Sequence, residues 1–441
     1  MISPARQLAR DVLLAVEQRE AYASDLLHSS LGRGLKPADQ ALATELVLGV
    51  LRWREQLDYL IQRSAHRPVA RLAPLVRTAL RLGLYQLRFL DRIPARAAVH
   101  ESVEMTKEGA PHAAAFVNAV LRRGAGEAAE PMAAILAAEP EPARRCAVEF
   151  SHPAWLLERW SANFSPEAAA AIAEHNNRAP QPSFWLRAGE PPPELELAPG
   201  TLLRSAWRVS AGDATRTEAF RERRLFLQDE ASQLIPFLLQ AQAGQSILDL
   251  GAAPGGKTAR LEAMVPGANL VGVELHLHRA RLLRQRLQRL VSVVVADGTR
   301  RLPFRGKFDR ILLDAPCTGT GTLDRNPEIR WRLQPGDPGR LARTQSAMLA
   351  RAAAALAPGG RLVYSVCSIE PEEGAEVVEA FLVQHKGWRL RPAAEVVAAL
   401  RSGGVLQPDL PELTAGPWLR IIPGSAGTAG FFAAILESAA F

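Results

Sequence analysis

The sequence predicts a multidomain protein of three consecutive folds: an all-α domain, a small α+β module and a doubly wound α/β domain. Three observations carry this. Residues 1–123 repeat apolar side chains at helical spacing, with no alternating strand pattern. Residues 146–235 mix helices with short strand candidates interrupted by prolines. From 236 onward, apolar strands alternate with helices, as in a parallel sheet covered on both faces. The 441 residues fit this division, because roughly 150 residues make one ordinary core.

In the all-α part (1–145), Leu8, Val12, Leu13 and Val16 form one stripe. Leu42, Leu46, Val47, Val50 and Leu51 form a second, and Leu75, Ala79, Leu82, Tyr85 and Leu87 a third. Ser24, Pro37, Pro68, Pro74 and Pro94 punctuate these runs. Residues 124–145 are rich in Ala, Glu and Pro and read as a linker with one short helix. The module 146–235 is expected to hold helices from Trp155 to Asn163 and from Pro166 to Asn176, then strands at 183–187 and 207–210. The α/β part (236–441) has strands expected at 246–251, 269–275, 291–297, 308–316 and 360–368, with helices at 276–290 and 341–356. Ligands of such sheets bind at the carboxyl ends of the strands. That points to Gly251 and the residues after it, and to Glu274, Asp297, Asp314 and Cys367.

Hydrophobic residues at 48% and charged residues at 22% exclude general disorder. The net charge is +7, and only five of the 53 basic residues are lysine. Residues 1–123 carry 18 basic and 12 acidic side chains, and the α/β part 24 and 18. Guanidinium groups stay charged and bind phosphate in a fork, so a nucleic-acid partner suits the composition. No apolar run reaches 18 residues without a charge, and the first twenty residues have no signal-peptide core. A soluble cytoplasmic protein is expected, acting as a monomer. Three cysteines cannot form a disulfide framework, which fits a reducing compartment. No C-x-x-C pair or histidine cluster supplies a metal site, so no metal is expected.

The sharpest local signal is ILDLGAAPGGKT (247–258), a strand running through a glycine-rich turn into a helix. Gly251, Ala252, Ala253, Pro254, Gly255, Gly256, Lys257 and Thr258 also satisfy the P-loop pattern, and ILLD (311–314) looks like the metal-binding strand of such enzymes. A P-loop-type NTPase with an RNA-binding domain is therefore the alternative. Against it, Glu274 ends the second strand about 23 residues after Gly251, a spacing that suits ribose hydroxyls. Asp297 ends the third strand, on the adenine side. This layout suits an adenosine ligand without a triphosphate, and S-adenosylmethionine fits.

Cys317 and Cys367 follow the fourth and fifth strands, on the same edge. Two thiols beside a methyl sulfonium suggest pyrimidine chemistry. A thiolate adding to carbon 6 makes carbon 5 nucleophilic, and elimination follows methyl transfer. Asp314 is placed to meet N3 as charge develops there. Spacing alone does not decide which cysteine attacks. Residues 326–332, NPEIRWR, either meet RNA near the target base or pack Trp331 and expose the arginines.

DLGAAPGGKT, DAPCTGTG and YSVCSIEPEE together resemble the RNA cytosine-5 methyltransferases of the NOL1/NOP2/Sun family. FLQDEASQLIP (226–236) resembles that family's lead-in, and GFFAAIL (430–436) its closing strand. RQLARDVLLAVEQREAYASDLL, DQALATELVLGVLRWREQLDYLI and AAFVNAVLRR resemble the NusB-like helical RNA-binding fold. A NusB-like domain before a Sun-type domain is the arrangement of bacterial enzymes that methylate cytosine in 16S ribosomal RNA. The resemblance implies a Rossmann-like methyltransferase domain and a ferredoxin-like module before it. It implies that Gly251 to Lys257 hold the methionine and ribose end of S-adenosylmethionine, Glu274 the ribose hydroxyls and Asp297 the adenine. The family usually has Asp where Glu274 stands. Asp314 would lie between cofactor and base, Cys367 would attack, and Cys317 would help release product. The role of Lys257 stays open.

Overall fold

The computed structural model describes residues 2–19, 21–27, 34–287 and 291–439. The chain divides into two compact units, Met1–Ala179 with Leu323–Leu333, and Pro180–Thr322 with Gln334–Phe441.

The first unit is helical. Its main helices are Pro4–Arg19, Pro37–Arg52, Arg54–Ala65, Pro74–Phe89, Ala95–Gly109 and Ala114–Ala128. Pro37 and Pro74 open their helices, where proline's missing N–H costs nothing. The expected stripes become the core: Leu8, Val12, Leu46, Val47, Val50, Ala79, Leu82 and Tyr85 are all buried in one cluster. Tyr85 lies so close to the helix of Gly49 that a Cβ there would meet its ring at 2.0 Å.

Residues 124–145 differ from the linker expectation. The helix Ala114–Ala128 runs into them, and Met132–Leu136 is a further helix with Ile135 and Leu136 in the core. Alanine is the best helix former, so an Ala-rich stretch holding two large apolar residues folds rather than spaces. The helices Ala154–Asn163 and Pro166–Asn176 stand where expected, but they pack on Pro142–Phe150 within this first unit. The α+β module thereby loses them.

The segment Leu323–Leu333 belongs to the same unit. Arg330 is fully buried there. Its guanidinium donates to the Ser151, Asn176 and Leu323 carbonyls and to Asn177 Oδ1, at 2.9–3.2 Å. Burial pulls Arg330 down to about 9, with Arg52 nearby adding to the effect. Trp331 Nε1 donates to the Leu51 carbonyl at 2.6 Å, and Arg54 lies over its ring. Of the two readings of 326–332, packing describes Trp331, but Arg330 is buried where that reading exposed it.

The second unit holds two sheets. The smaller is antiparallel, with β1 (Ser183–Leu186), β2 (Glu196–Pro199), β3 (Ala206–Ala211) and β4 (Leu225–Leu227) in the order β2-β3-β1-β4. The larger is made of β5 (Ser246–Leu250), β6 (Asn269–Glu274), β7 (Ser292–Val295), β8 (Phe308–Asp314), β9 (Leu356–Val366), β10 (Trp388–Arg391), β11 (Thr414–Ala415), β12 (Trp418–Ile421) and β13 (Phe431–Ser438). Its order is β11-β12-β13-β9-β8-β5-β6-β7, with β10 also on β13. The strands β9, β8, β5, β6 and β7 are parallel, as expected. The closing strands are antiparallel, so the sheet is mixed. Residues of β5 alternate between its two faces: Ile247 joins one core cluster and Leu248 the other. The helix expected over 276–290 spans Leu277–Arg286, and 288–290 lie outside the described residues. No helix is long and apolar enough to cross a membrane among the described residues.

The Arg330 bonds predict a specific weakness. Arg330→Met fills the space but strands four acceptors, and should cost about 3 kcal/mol or more. It should lower the urea midpoint of the helical signal and make trypsin cut after Arg325 or Arg332 faster than in the parent chain.

Candidate active site

Parallel register brings the expected residues to one edge. Leu250 pairs with Val273 and with Leu313, Glu274 pairs with Val295, and Asp314 with Ser365. The next residues of each strand therefore emerge together. Gly251 follows β5 at φ +84°, and a Cβ on it would lie 2.2 Å from the Asp314 carbonyl oxygen. Glycine is required on both grounds. Gly255, at φ +106°, then caps the helix Gly256–Met264. The first turn of that helix has N–H groups without intrahelical acceptors, which suits an anionic group.

A cavity of about 130 Å³ opens here. Ala252 to Lys257, Asp249 and Asp314 line it, along with Gln228 and Ser232. Glu274 and Asp297 end neighbouring strands but do not line this cavity. Glu274 is nearly buried and accepts the His276 N–H at 3.0 Å. Asp297 accepts the Thr299 N–H and hydroxyl at 2.9 and 2.7 Å, which hold its carboxyl below the usual range.

Lys257 has a clear bonding role. Its Nζ donates to Asp314 Oδ2 at 2.7 Å and lies over the Phe431 ring. Burial works to lower its pKa, but Asp314, Cys367 and Asp249 outweigh burial and raise it. Ser365 donates to the other Asp314 oxygen at 3.2 Å. Thr258 donates to Asp249 Oδ2 at 2.6 Å. The lysine and threonine that a P-loop directs at phosphate and metal are thus bound to the protein's own carboxylates, which removes the support for the NTPase reading.

Asp249 was not among the expected site residues. It is fully buried, burial lifts it to about 7, and its Oδ1 has no partner among the described residues. A buried acceptor left open beside a cavity fits a cationic ligand group, such as the ammonium of an amino acid. The turn's N–H groups fit the carboxylate of the same amino acid. The site therefore has the donors and acceptors that the methionine end of S-adenosylmethionine requires.

The two cysteines meet. Their Sγ atoms are 3.3 Å apart and share a hydrogen bond. That bond, burial and the negative groups nearby push the Cys317 thiol well up, so Cys317 retains its proton.

Beneath them lies a group the sequence reading missed. Glu373 is fully buried. Its Oε1 accepts the Thr318 N–H and the Gln345 amide, at 2.8 and 3.0 Å. Its Oε2 accepts the Ser368 hydroxyl at 2.5 Å and the Thr318 hydroxyl. Thr318 follows Cys317 and Ser368 follows Cys367, so one carboxylate ties both cysteine loops. Burial raises Glu373 despite these bonds. The sequence signal was the acidic run after Cys367, without a hint of which acid turns inward.

Comparison with known proteins agrees with this geometry. Residues 236–437 match the 16S rRNA methyltransferase RsmB/F model, and residues 3–125 match the NusB family. The chain is 33% identical over 448 residues to a probable ribosomal RNA small subunit methyltransferase B of Bacillus subtilis, covering 97% of each. It is 38% identical to ribosomal RNA small subunit methyltransferase B of Thermus thermophilus, covering 98% of this chain and 97% of that one. In fold it is similar to the crystal structure of PH0851, with a TM-score of 0.80 at 22% identity over 99% of each chain. Relatives so similar over nearly their whole length decide the matter: the chain belongs to the 16S rRNA methyltransferase RsmB/F family, whose methyl donor is S-adenosylmethionine.

Proposed function

We propose that this methyltransferase of small-subunit ribosomal RNA modifies carbon 5 of a cytosine in the 16S molecule, through a transient bond from Cys367 to carbon 6. The observation that carries the reading is the pair of thiols 3.3 Å apart, within electrostatic reach of the Lys257–Asp314 pair. We take it to act in the cytoplasm as a monomer.

Bound S-adenosylmethionine supplies an electrophilic methyl group on a sulfonium. The turn Gly251 to Lys257 and Asp249 would hold its methionine end, Glu274 the ribose hydroxyls and Asp297 the adenine side. Cys367 Sγ bonds to carbon 6, and the ring electrons shift toward carbon 5 and N3. Asp314 is fixed by Lys257 and Ser365 where that charge develops, and a proton held in the Lys257–Asp314 pair neutralises N3. Once carbon 5 carries both methyl and hydrogen, Cys317 gives its own proton to water and its thiolate takes the carbon 5 proton, while N3 returns its proton to the Lys257–Asp314 pair. The carbon 5–carbon 6 double bond re-forms, and Cys367 leaves as a thiolate. A thiol pushed above its usual range is the stronger base once ionised, which suits Cys317 to this step. The target base must leave its stack to reach the site.

Cys317→Ala should accumulate a covalent protein–RNA adduct that needs cofactor and resolves as a shifted band on denaturing gels. Cys367→Ala should form none, and the reverse pattern would exchange the two roles. Glu373→Ala should lower kcat about 100-fold by loosening both cysteine loops, with S-adenosylhomocysteine affinity unchanged by calorimetry. Glu373→Gln should recover much of that loss, because the Thr318 and Ser368 hydroxyls can rotate to donate or accept. The affinity for S-adenosylhomocysteine should rise about tenfold from pH 6 to pH 8, as Asp249 ionises through about 7 to accept the ligand's ammonium. Asp249→Asn should flatten that profile.

A further inference from the structure

The far edge of the large sheet carries a second concentration of charge. Strand register sets four side chains in one row: Arg310 of β8 opposite Arg361 of β9, Arg361 opposite Glu437 of β13, and Glu437 opposite Arg389 of β10. Arg391, two residues on, bonds the same carboxylate at 3.2 Å. Arg361 and Arg389 bond it at 2.8 and 2.7 Å. Burial works to raise the Glu437 carboxyl, and the hydrogen bonds from the three arginines outweigh it, bringing it down to about 2. One carboxylate is thus saturated by three guanidiniums.

These residues line an open cleft of about 680 Å³, together with Lys386. Five cations line it against the single carboxylate Glu437. Arg310 stands opposite Arg361 across the parallel pair, and Glu437 is the carboxylate that balances Arg361. The cations also differ in kind. Arg310 and Arg361 spend donors on the Leu239, Asp309 and Leu238 carbonyls and on Gln240, and so act as fixed charge. Arg389 has 77% of its side chain exposed, and Lys386 is exposed with no ion pair among the described residues. A fixed positive floor with solvent-exposed cations at its rim, Lys386 unpaired among the described residues and Arg389 paired with Glu437, is the footprint of a phosphate-bearing polyanion. Arg310 lies four residues before Asp314 on β8, roughly 13 Å along the strand and on the edge opposite the cysteines.

We propose that this cleft is a second contact for the substrate RNA, holding backbone phosphates of a segment distant from the target base. The occupant follows from the chain's substrate: ribosomal RNA extends well beyond one catalytic cavity, and a backbone contact needs no base sequence. Lys386 and Arg389 would make the phosphate contacts.

The test uses the full chain with Lys386→Gln and Arg389→Gln together. Both side chains are exposed, and Glu437 keeps Arg361 and Arg391. Filter binding to a 16S ribosomal RNA transcript, with S-adenosylhomocysteine present, is measured from 50 to 200 mM salt. The expected result is a log–log salt slope shallower by about 1.4 to 1.8, from about 0.7 to 0.9 per lost phosphate contact. KM for the transcript should rise roughly tenfold at 50 mM salt while kcat holds. Lys386→Gln alone should give about half the change in slope. An unchanged slope and affinity, with an unchanged melting profile, overturns the proposal. So does equal weakening for a short hairpin that reaches only the catalytic edge. Binding is read without chemistry, so failure of the cytosine-5 reading would show in the adduct experiment and not here.

Discussion

A buried carboxylate is stable only when every lone pair facing the protein is used, and Glu373 meets that condition by gathering both cysteine loops. Four donors from three chain segments converge on it, two of them from the residue after Cys317 and one from the residue after Cys367. The loops meet again elsewhere: the Gly321 N–H donates to the Cys367 carbonyl, and the Gly430 N–H to the Gly321 carbonyl. A Cβ on Gly321 would come within 2.2 Å of the Gly430 oxygen, so the approach tolerates no side chain. The separation of the thiols follows from this backbone packing rather than from the thiols themselves. Proximity of the two thiols is what the fold supplies, set by the backbone around them.

The same economy appears at Asp314. Its two oxygens are bonded by Lys257 and Ser365, and its carbonyl closes against Gly251. One residue thus joins the glycine-rich turn to the strand edge that carries the cysteines. Removing Lys257 would leave a largely enclosed carboxylate without its cation, which costs more than a surface pair would.

The strands were legible because long apolar runs bounded by glycine or acid have few other readings, and β5, β6 and β8 lie where SILDLG, NLVGVEL and FDRILLDAP placed them. Which strand-end residues share a cavity was less legible. Glu274 and Asp297 follow the parallel-sheet rule in position, yet the 130 Å³ cavity is lined by Asp249, hidden inside an apolar string. Glu373 was one acid among several after Cys367, and only the fold shows it turned inward. The short helix expected within 124–145 is Met132–Leu136, but the linker reading did not place it in the core. Composition described the alanines and prolines, whereas Ile135 and Leu136 decide the packing. Residues 326–332 had no local signal for their place, because the partners of Arg330 stand at Ser151, Asn176 and Asn177, more than 150 residues away.

The P-loop resemblance shows where a motif stops carrying chemistry. The string from Gly251 to Thr258 satisfies that pattern in full, and the helix it opens presents the same bare N–H groups. A P-loop needs its lysine free for phosphate and its threonine free for magnesium. Here Asp314 takes the lysine and Asp249 takes the threonine, both from neighbouring parallel strands. A triphosphate would have to displace both carboxylates and lie beside them, with its own charge repelled by theirs. A ligand with an ammonium and a sulfonium meets no such penalty. The identity of the cofactor thus follows from two acids outside the glycine string, one of them 57 residues downstream of the lysine it holds.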